Sequence, residues 1–192
     1  ATLFFTFQLY CDFSGYSDIA IGSANIMGIR LTNNFNLPYL ASSIGEFWKR
    51  WHMSLTAWFR DYIFLPLSFA LSWKIKSERV MLVKTDMFIY IVASLVTWLL
   101  TGLWHGAGYT FIVWGLFQCH FLVVYRWQTK PARRLFKKMG IPKDNWLLTL
   151  VGTLLTLFAV LVSWVFFRAE NMSDAGYILG HMFTGWDRIP YL

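Results

Sequence analysis

The stretch LLTGLWHGAGYTF, residues 99–111, interrupts an apolar run with three glycines and one histidine. Met87–Trp104 contains no charged residue, and Tyr109–Trp127 contains only Arg126. At about 1.5 Å of rise per residue, Met87–Trp104 would form a helix about 27 Å long, close to the hydrocarbon thickness of a bilayer. The pattern predicts a helical hairpin in a membrane, with His105 at its turn.

The composition supports a membrane location. The 192 residues are 57% hydrophobic, 20% aromatic and only 14% charged, whereas soluble domains are about 25% charged. Trp146–Phe167 is a third segment without charge. We therefore expect an all-α, polytopic integral membrane protein. Residues 1–192 are interpreted as a single membrane domain, an internal or C-terminal portion of a longer protein.

The charged residues predict an orientation. The net charge of +7 is concentrated in Lys74–Lys84 and Arg126–Lys138, interpreted as loops. Basic loops between apolar spans mark the cytoplasmic side, so we expect no nucleic-acid partner. Contact with anionic lipid or a dedicated binding patch is the alternative. The segment after the third span has no basic excess; its charged residues are Arg168, Glu170, Asp174, Asp187 and Arg188.

Polar residues also occur in the first apolar stretch, which carries Asp12 and Asp18. Ser14, Asp18 and Asn25 share one face of a predicted helix. An unpaired carboxylate is costly in hydrocarbon, so this face is expected to contact protein or a hydrophilic cavity. Packing against a basic residue elsewhere would explain the same pattern.

Residues 33–67 are too polar to span a bilayer and rich in aromatic side chains. Ser42 or Ser43 is expected to cap a helix there, with Glu46 completing a capping box and pairing with Arg50. We expect an interfacial helix with His52 at its middle. A short re-entrant piece, residues 64–73 and broken at Pro66, should follow.

His105 is the candidate catalytic residue. The glycines around it allow another group to approach closely, and Trp104 supplies an aromatic wall. Imidazole changes protonation near neutral pH and is a usable general base. A tight hairpin with a hydrogen-bonded histidine is the structural alternative.

Three motifs resemble the membrane-bound O-acyltransferase family: CDFSGYSDIAIG (11–22), EFWKRWHMSLTAWFRDY (46–62) and GLWHGAGYTFIVWG (102–115). They are most similar to the bacterial branch that acts in alginate O-acetylation and teichoic acid D-alanylation. The resemblance extends from Gln8 to Arg126. After Pro66, LSFALSWKIK replaces the glycine-rich basic turn of the alginate type, which leaves the acceptor open.

The resemblance implies helices surrounding a tunnel in the bacterial cytoplasmic membrane. It implies transfer of an acyl group, acetyl in the first instance, from acetyl-coenzyme A or an acyl carrier protein. The acceptor would be a hydroxyl of an extracytoplasmic polymer, reached directly or through a periplasmic acyltransferase. No permanently bound cofactor or metal is expected.

The resemblance matches His105 and His52 to the two histidines of the family, and the other expected roles come from the residues themselves. His105 would be the general base and His52 would serve the donor side. The remaining candidates fall into a substrate-binding group and a tunnel group. The substrate-binding group is Trp104, Gly106, Trp51, Lys49 and Arg60; the tunnel group is Asp12, Asp18, Asn25, Glu46 and Asp61.

Two other classes of function remain open at this point. Intramembrane Asp12, Asp18 and His105 would also suit a proton or ion path in a transporter or channel. A non-catalytic scaffold that recruits a periplasmic transferase is the second alternative.

The orientation is testable by labelling single cysteines from outside intact cells. Asp174→Cys should be labelled, whereas Arg134→Cys should be protected, because basic segments stay in the cytoplasm. The reverse labelling pattern would contradict the predicted orientation.

Overall fold

A computed structural model describes residues 2–142 and 144–184. The expected charged residues Asp187 and Arg188 lie outside this range. The described chain is mostly helical, as predicted. The elements are α1 (Thr2–Ile26), α2 (Ile44–Arg50), α3 (Met53–Phe59), α4 (Leu65–Lys74), β1 (Arg79–Val80), β2 (Val83–Lys84), α5 (Thr85–His105), α6 (Tyr109–Lys138), α7 (Trp146–Arg168) and α8 (Met172–His181).

The three predicted apolar spans are helices, α5, α6 and α7, and His105 ends α5 just before the turn into α6. Within the described ranges, α5 and α7 are long and apolar enough to cross a membrane. Helix α6 does not meet that description. Gln118 and His120 interrupt its apolar half, and its second half is basic.

The prediction that Arg126–Lys138 forms a loop is wrong, because these residues continue α6 without a break. Lysine and arginine are good helix formers, and cations near a helix C-terminus are stabilised by its dipole. Charge alone therefore did not mark a helix end. In the other basic segment, β1 and β2 pair antiparallel, with Arg79 opposite Lys84. This hairpin, with two residues in each strand, is a small exception to the all-α prediction.

The predicted break at Pro66 is also wrong. Helix α3 continues into a π-helical turn, Arg60–Phe64, and then directly into α4. The backbone N–H of Leu65 donates to the carbonyl of Arg60, five residues back. Proline lacks an N–H and crowds the preceding turn of a helix. The wider π turn accommodates Pro66 and keeps the segment helical.

The start of α2 follows the predicted capping chemistry with a shift of one residue. Ser43 is the N-cap, and its hydroxyl accepts from the N–H of Glu46 at 3.2 Å. The Glu46 carboxylate reaches past Ser43 to the N–H and hydroxyl of Ser42, at 2.8 and 2.9 Å. It also pairs with Arg50 at 2.6 Å, as predicted.

Helices α5 and α6 approach each other backbone to backbone. A Cβ on Gly102 would lie 2.5 Å from the carbonyl oxygen of Phe111, and a Cβ on Gly115 would collide with the carbonyl oxygen of Trp98. Small residues permit this close contact between helices. Both glycines are therefore required by packing.

An aromatic core joins α2, α6 and α7 beside α1. Trp51 stacks on Phe47 with ring centroids 5.7 Å apart and contacts Trp164 at 5.2 Å. The Tyr39 hydroxyl, in the 3₁₀ turn before α2, donates to the carbonyl of Thr6 at 2.8 Å and ties α1 to this core.

Gly115→Ala should destabilise the protein by about 1–3 kcal/mol, because the new methyl group meets rigid backbone. Gly176→Ala on α8 is the matched control, since nothing lies within 4 Å of its added Cβ. Thermal unfolding of the detergent-solubilised protein should show a lower unfolding temperature only for Gly115→Ala. Equal unfolding temperatures for the two variants would contradict the packing role.

Candidate active site

A large cavity lies between α2, α3, α5 and α6. Its volume is about 2190 Å³, above the roughly 300–1,000 Å³ that a typical small-molecule pocket occupies. Both candidate histidines, His52 and His105, contribute to its wall. The cavity therefore has room for more than a single small metabolite within the described residues.

One face of α5 forms a wall of this cavity. Its lining residues include a series that recurs every three or four positions: Tyr90, Ser94, Thr97, Thr101 and His105. The hydroxyls of Thr97 and Thr101 donate to the carbonyls of Ala93 and Thr97, which satisfies these donors in an apolar helix. Along α5, His105 lies about 22 Å from Tyr90.

The end of the cavity remote from His105 is basic. We call this group the basic rim; it consists of Arg79, Lys84, Arg126, Lys130, Arg133 and Arg134. In the described part of the chain the ion pairs are Arg50 with Glu46 and Arg60 with Asp61, so no rim cation is within ion-pair distance of a carboxylate; Asp86 is the acidic residue that also lines this end of the cavity. The Arg126 guanidinium lies over the Tyr90 ring at 4.3 Å. A cluster of one charge sign at a cleft attracts anions.

His105 sits among aromatic rings. Its ring centroid lies 4.8 Å from that of Trp104 and 5.0 Å from those of both Trp114 and Phe167. Phe111 lies roughly parallel to it at 6.3 Å. His105 makes no hydrogen bond to any residue the structure describes, so the alternative of a hydrogen-bonded structural histidine gains no support.

The expectation of one helix with His52 at its middle is wrong: α2 ends at Arg50, α3 begins at Met53, and His52 lies at the corner between them in a left-handed backbone conformation, with φ of 41°. This conformation is uncommon for a residue other than glycine and is frequent at functional sites. The imidazole packs edge-on against Phe13 at 4.6 Å and lies 6.3 Å from Trp104. Trp104 therefore touches both histidines.

The corner that carries His52 is braced by residues the sequence analysis did not single out. The Asn34 carbonyl accepts from the N–H of Met53 at 3.0 Å, and its side-chain oxygen accepts from the hydroxyl of Ser54 at 2.7 Å. The N–H of Asn36 donates to the carbonyl of Arg50 at 2.9 Å. These bonds join residues far apart in the chain, so no local sequence pattern predicts them.

The structure separates the predicted substrate-binding residues into two groups. Trp51, Lys49 and Arg60 line the cavity, whereas Trp104 and Gly106 do not. Trp104 is 58% exposed. A Cβ on Gly106 would lie 2.7 Å from the Phe111 ring, so the expected open space beside this glycine is filled by Phe111.

The predicted tunnel residues are also divided. Glu46 lines the cavity; burial opposes its ionisation, but hydrogen bonds from Ser42 and the charge of Arg50 hold the pKa of its carboxyl below the usual value. Asp61 pairs with Arg60 at 2.7 Å outside the cavity. Asp12, Asp18 and Asn25 are exposed in the described chain and do not line the cavity.

Further wall residues became visible only in three dimensions. Trp48, Trp98 and Trp114 line the cavity from three different helices. Among the residues described, no three His, Cys, Asp or Glu side chains are close enough to hold a metal ion.

Comparison with known proteins identifies relatives of the chain. It is 39% identical over 185 residues to a probable alginate O-acetylase AlgI of Pseudomonas syringae pv. tomato, covering 96% of this chain and 31% of the relative. It is 38% identical over 181 residues to a peptidoglycan O-acetyltransferase of Helicobacter pylori, covering 94% and 30%. A teichoic acid D-alanyltransferase of Bacillus subtilis is 32% identical over 166 residues, covering 86% and 40%.

The chain spans about a third of the length of the curated relatives it matches. The family model for membrane-bound O-acyltransferases matches residues 1–169, which include all three motifs and the cavity. The chain therefore belongs to the membrane-bound O-acyltransferase family.

Proposed function

We propose that this protein transfers an acetyl group from a thioester to a hydroxyl of an extracytoplasmic polysaccharide. The observation that carries the proposal is that the two ends of the cavity differ: two histidines lie at its aromatic end, and the basic rim lies at the other. Relatives named for alginate and peptidoglycan O-acetylation support the acetyl group and the polymer acceptor.

The donor fits the length and charge of the cavity. A phosphopantetheine-type thioester carries its reactive carbonyl at one end of a flexible arm and phosphate at the other. Unpaired arginines bind phosphate through charge-assisted hydrogen bonds, so the arm would run from the basic rim to His105. Acetyl-coenzyme A and an acyl carrier protein share this chemistry.

The reaction needs one proton acceptor at the aromatic end. Neutral His105 takes the proton of the acceptor hydroxyl as its oxygen attacks the thioester carbonyl. The new C–O bond forms, the C–S bond then breaks, and the leaving thiolate receives the proton from the imidazolium. His52, at its braced corner, would orient the donor.

The same proposal includes the location of the enzyme in the cell and the route of the acceptor. The chain would be part of a multi-pass protein of the bacterial cytoplasmic membrane, and the cavity would belong to a tunnel between its two sides. The acceptor would reach His105 from the outer side, directly or delivered by a periplasmic acyltransferase.

His105→Asn should abolish transfer, because an amide of similar size accepts no proton at neutral pH. The measurement is release of coenzyme A from acetyl-coenzyme A by membranes containing the protein, with alginate oligosaccharides as acceptor. His181→Asn on α8, outside the cavity, is the matched control and should retain turnover. His52→Asn should be less severe. Near-normal turnover by His105→Asn would end its assignment as general base.

Arg126→Gln should raise the KM for acetyl-coenzyme A about tenfold with a smaller effect on kcat, since a hydrogen bond to a charged group is worth about 1.5–3 kcal/mol. Lys138→Gln is the control, because Lys138 is basic and on the same helix but does not line the cavity. An equal change in KM for both variants would indicate a general charge effect and contradict a specific phosphate site.

A further inference from the structure

The β1–β2 hairpin carries an apolar tip that no other part of the described chain covers. Its two turn residues, Met81 and Leu82, are 89% and 96% exposed. Leu82 borders the open end of the cavity, but Met81 is not a cavity residue. A donor bound in the cavity would therefore leave Met81 in water, so the exposed tip needs another explanation.

The turn at this tip is built from residues that suit it poorly in water. Two-residue hairpin turns favour asparagine, aspartate and glycine, because these residues adopt a left-handed backbone conformation at little cost. Met81 has φ of 55°, which is uncommon for a residue other than glycine. Burying one large apolar side chain recovers about 1.5–3 kcal/mol. Two such side chains can offset the local cost of the turn if they enter an apolar phase.

The hairpin lies near the level of a membrane surface. Helix α5, which is long and apolar enough to cross a bilayer, begins at Thr85, so the tip at Met81 is within about 14 Å of its start. On the other side of the hairpin, Trp73 near the end of α4 is 78% exposed, and the Lys76 ammonium lies 5.9 Å from its ring centroid. An exposed indole beside a lysine is typical of membrane interfaces, because both side chains have an apolar body and a polar end.

The charges near the tip indicate which kind of membrane surface it would meet. Residues 74–86 contain four cations and two carboxylates. Lys74 and Lys76 are exposed, do not line the cavity and form no ion pair within the described residues. Cations next to a membrane-spanning helix are attracted to anionic phospholipids by about 1 kcal/mol each. Charge complementarity therefore favours an anionic phospholipid surface as the partner of the tip.

We propose that the β1–β2 hairpin is an anchor for anionic lipid. Met81 and Leu82 insert into the leaflet beside the basic rim, and the cations flanking them bind phospholipid phosphates. The inference does not depend on the proposed acyl transfer. Because Arg79 and Lys84 of the same hairpin belong to the basic rim, the anchor also holds one edge of the cavity mouth at the membrane surface.

The test places an environment-sensitive fluorophore at the tip. Met81→Cys is labelled with a nitrobenzoxadiazole dye in a Cys11→Ser background, since Cys119 is buried. The protein is reconstituted in nanodiscs of phosphatidylcholine alone or of equal parts phosphatidylcholine and phosphatidylglycerol. In the anionic nanodiscs the label should be quenched by phospholipids with a nitroxide on the acyl chain and protected from aqueous iodide. Lys138→Cys is the matched control and should be quenched by iodide, because Lys138 ends α6 about 16 Å beyond Trp127.

Removing one cation tests the role of the lipid charge. Lys76→Gln should lower the ratio of inserted to water-exposed label at position 81 about fivefold in the anionic nanodiscs, equivalent to about 1 kcal/mol, and leave it unchanged in the neutral ones. Lys138→Gln removes the same charge elsewhere and should leave the ratio unchanged in both.

Three outcomes would overturn the proposal. Iodide quenching at position 81 equal to that at position 138 would place the tip in water. Protection from both quenchers would indicate that a protein surface covers the tip. Equal insertion in neutral and anionic nanodiscs would exclude anionic lipid as the specific partner.

Discussion

The contact between the backbones of α5 and α6 at Gly102 and Gly115 fixes the geometry of the cavity. No side chain separates the two helices there, so neither can slide along or rotate against the other without a collision. The register brings His105 against Trp114 near the turn and Arg126 over Tyr90 toward the opposite end. Two glycines thus determine which chemical groups face each other along the whole wall.

The cavity separates charge from aromatic surface within one continuous space. Cations at the basic rim are exposed and can exchange water for phosphate at modest cost, whereas His105 at the other end is only partly exposed and packs among aromatic rings. Electrostatic interactions are stronger where water is excluded. In the proposed transfer, an anionic group would therefore be captured where solvation is easily replaced, and bond making would take place where hydrogen bonds have a larger effect.

The sequence predicted the helices better than their ends or their contacts. Uncharged runs located α5, α6 and α7 because length and hydrophobicity act locally. The continuation of α6 through Arg126–Lys138 was missed because basic residues suit both loops and helix ends. Trp114 is a wall residue because of its contacts with α2, α5 and α7, whose residues are distant in the sequence. No local sequence pattern predicts such contacts. His52 and His105 were paired only through the family resemblance, and the structure brings both against Trp104.

The unbroken course of α6 has a consequence for substrate length. Trp114 and Arg126 belong to one rigid rod, and their separation along it is about 18 Å. A helix cannot shorten this interval without losing backbone hydrogen bonds, so in the proposed transfer α6 would set the length of donor that fits. Thioesters with short arms would reach either the anion-binding end or the aromatic end but not both, and such small metabolites would be rejected by length, before any contact with the acyl group itself.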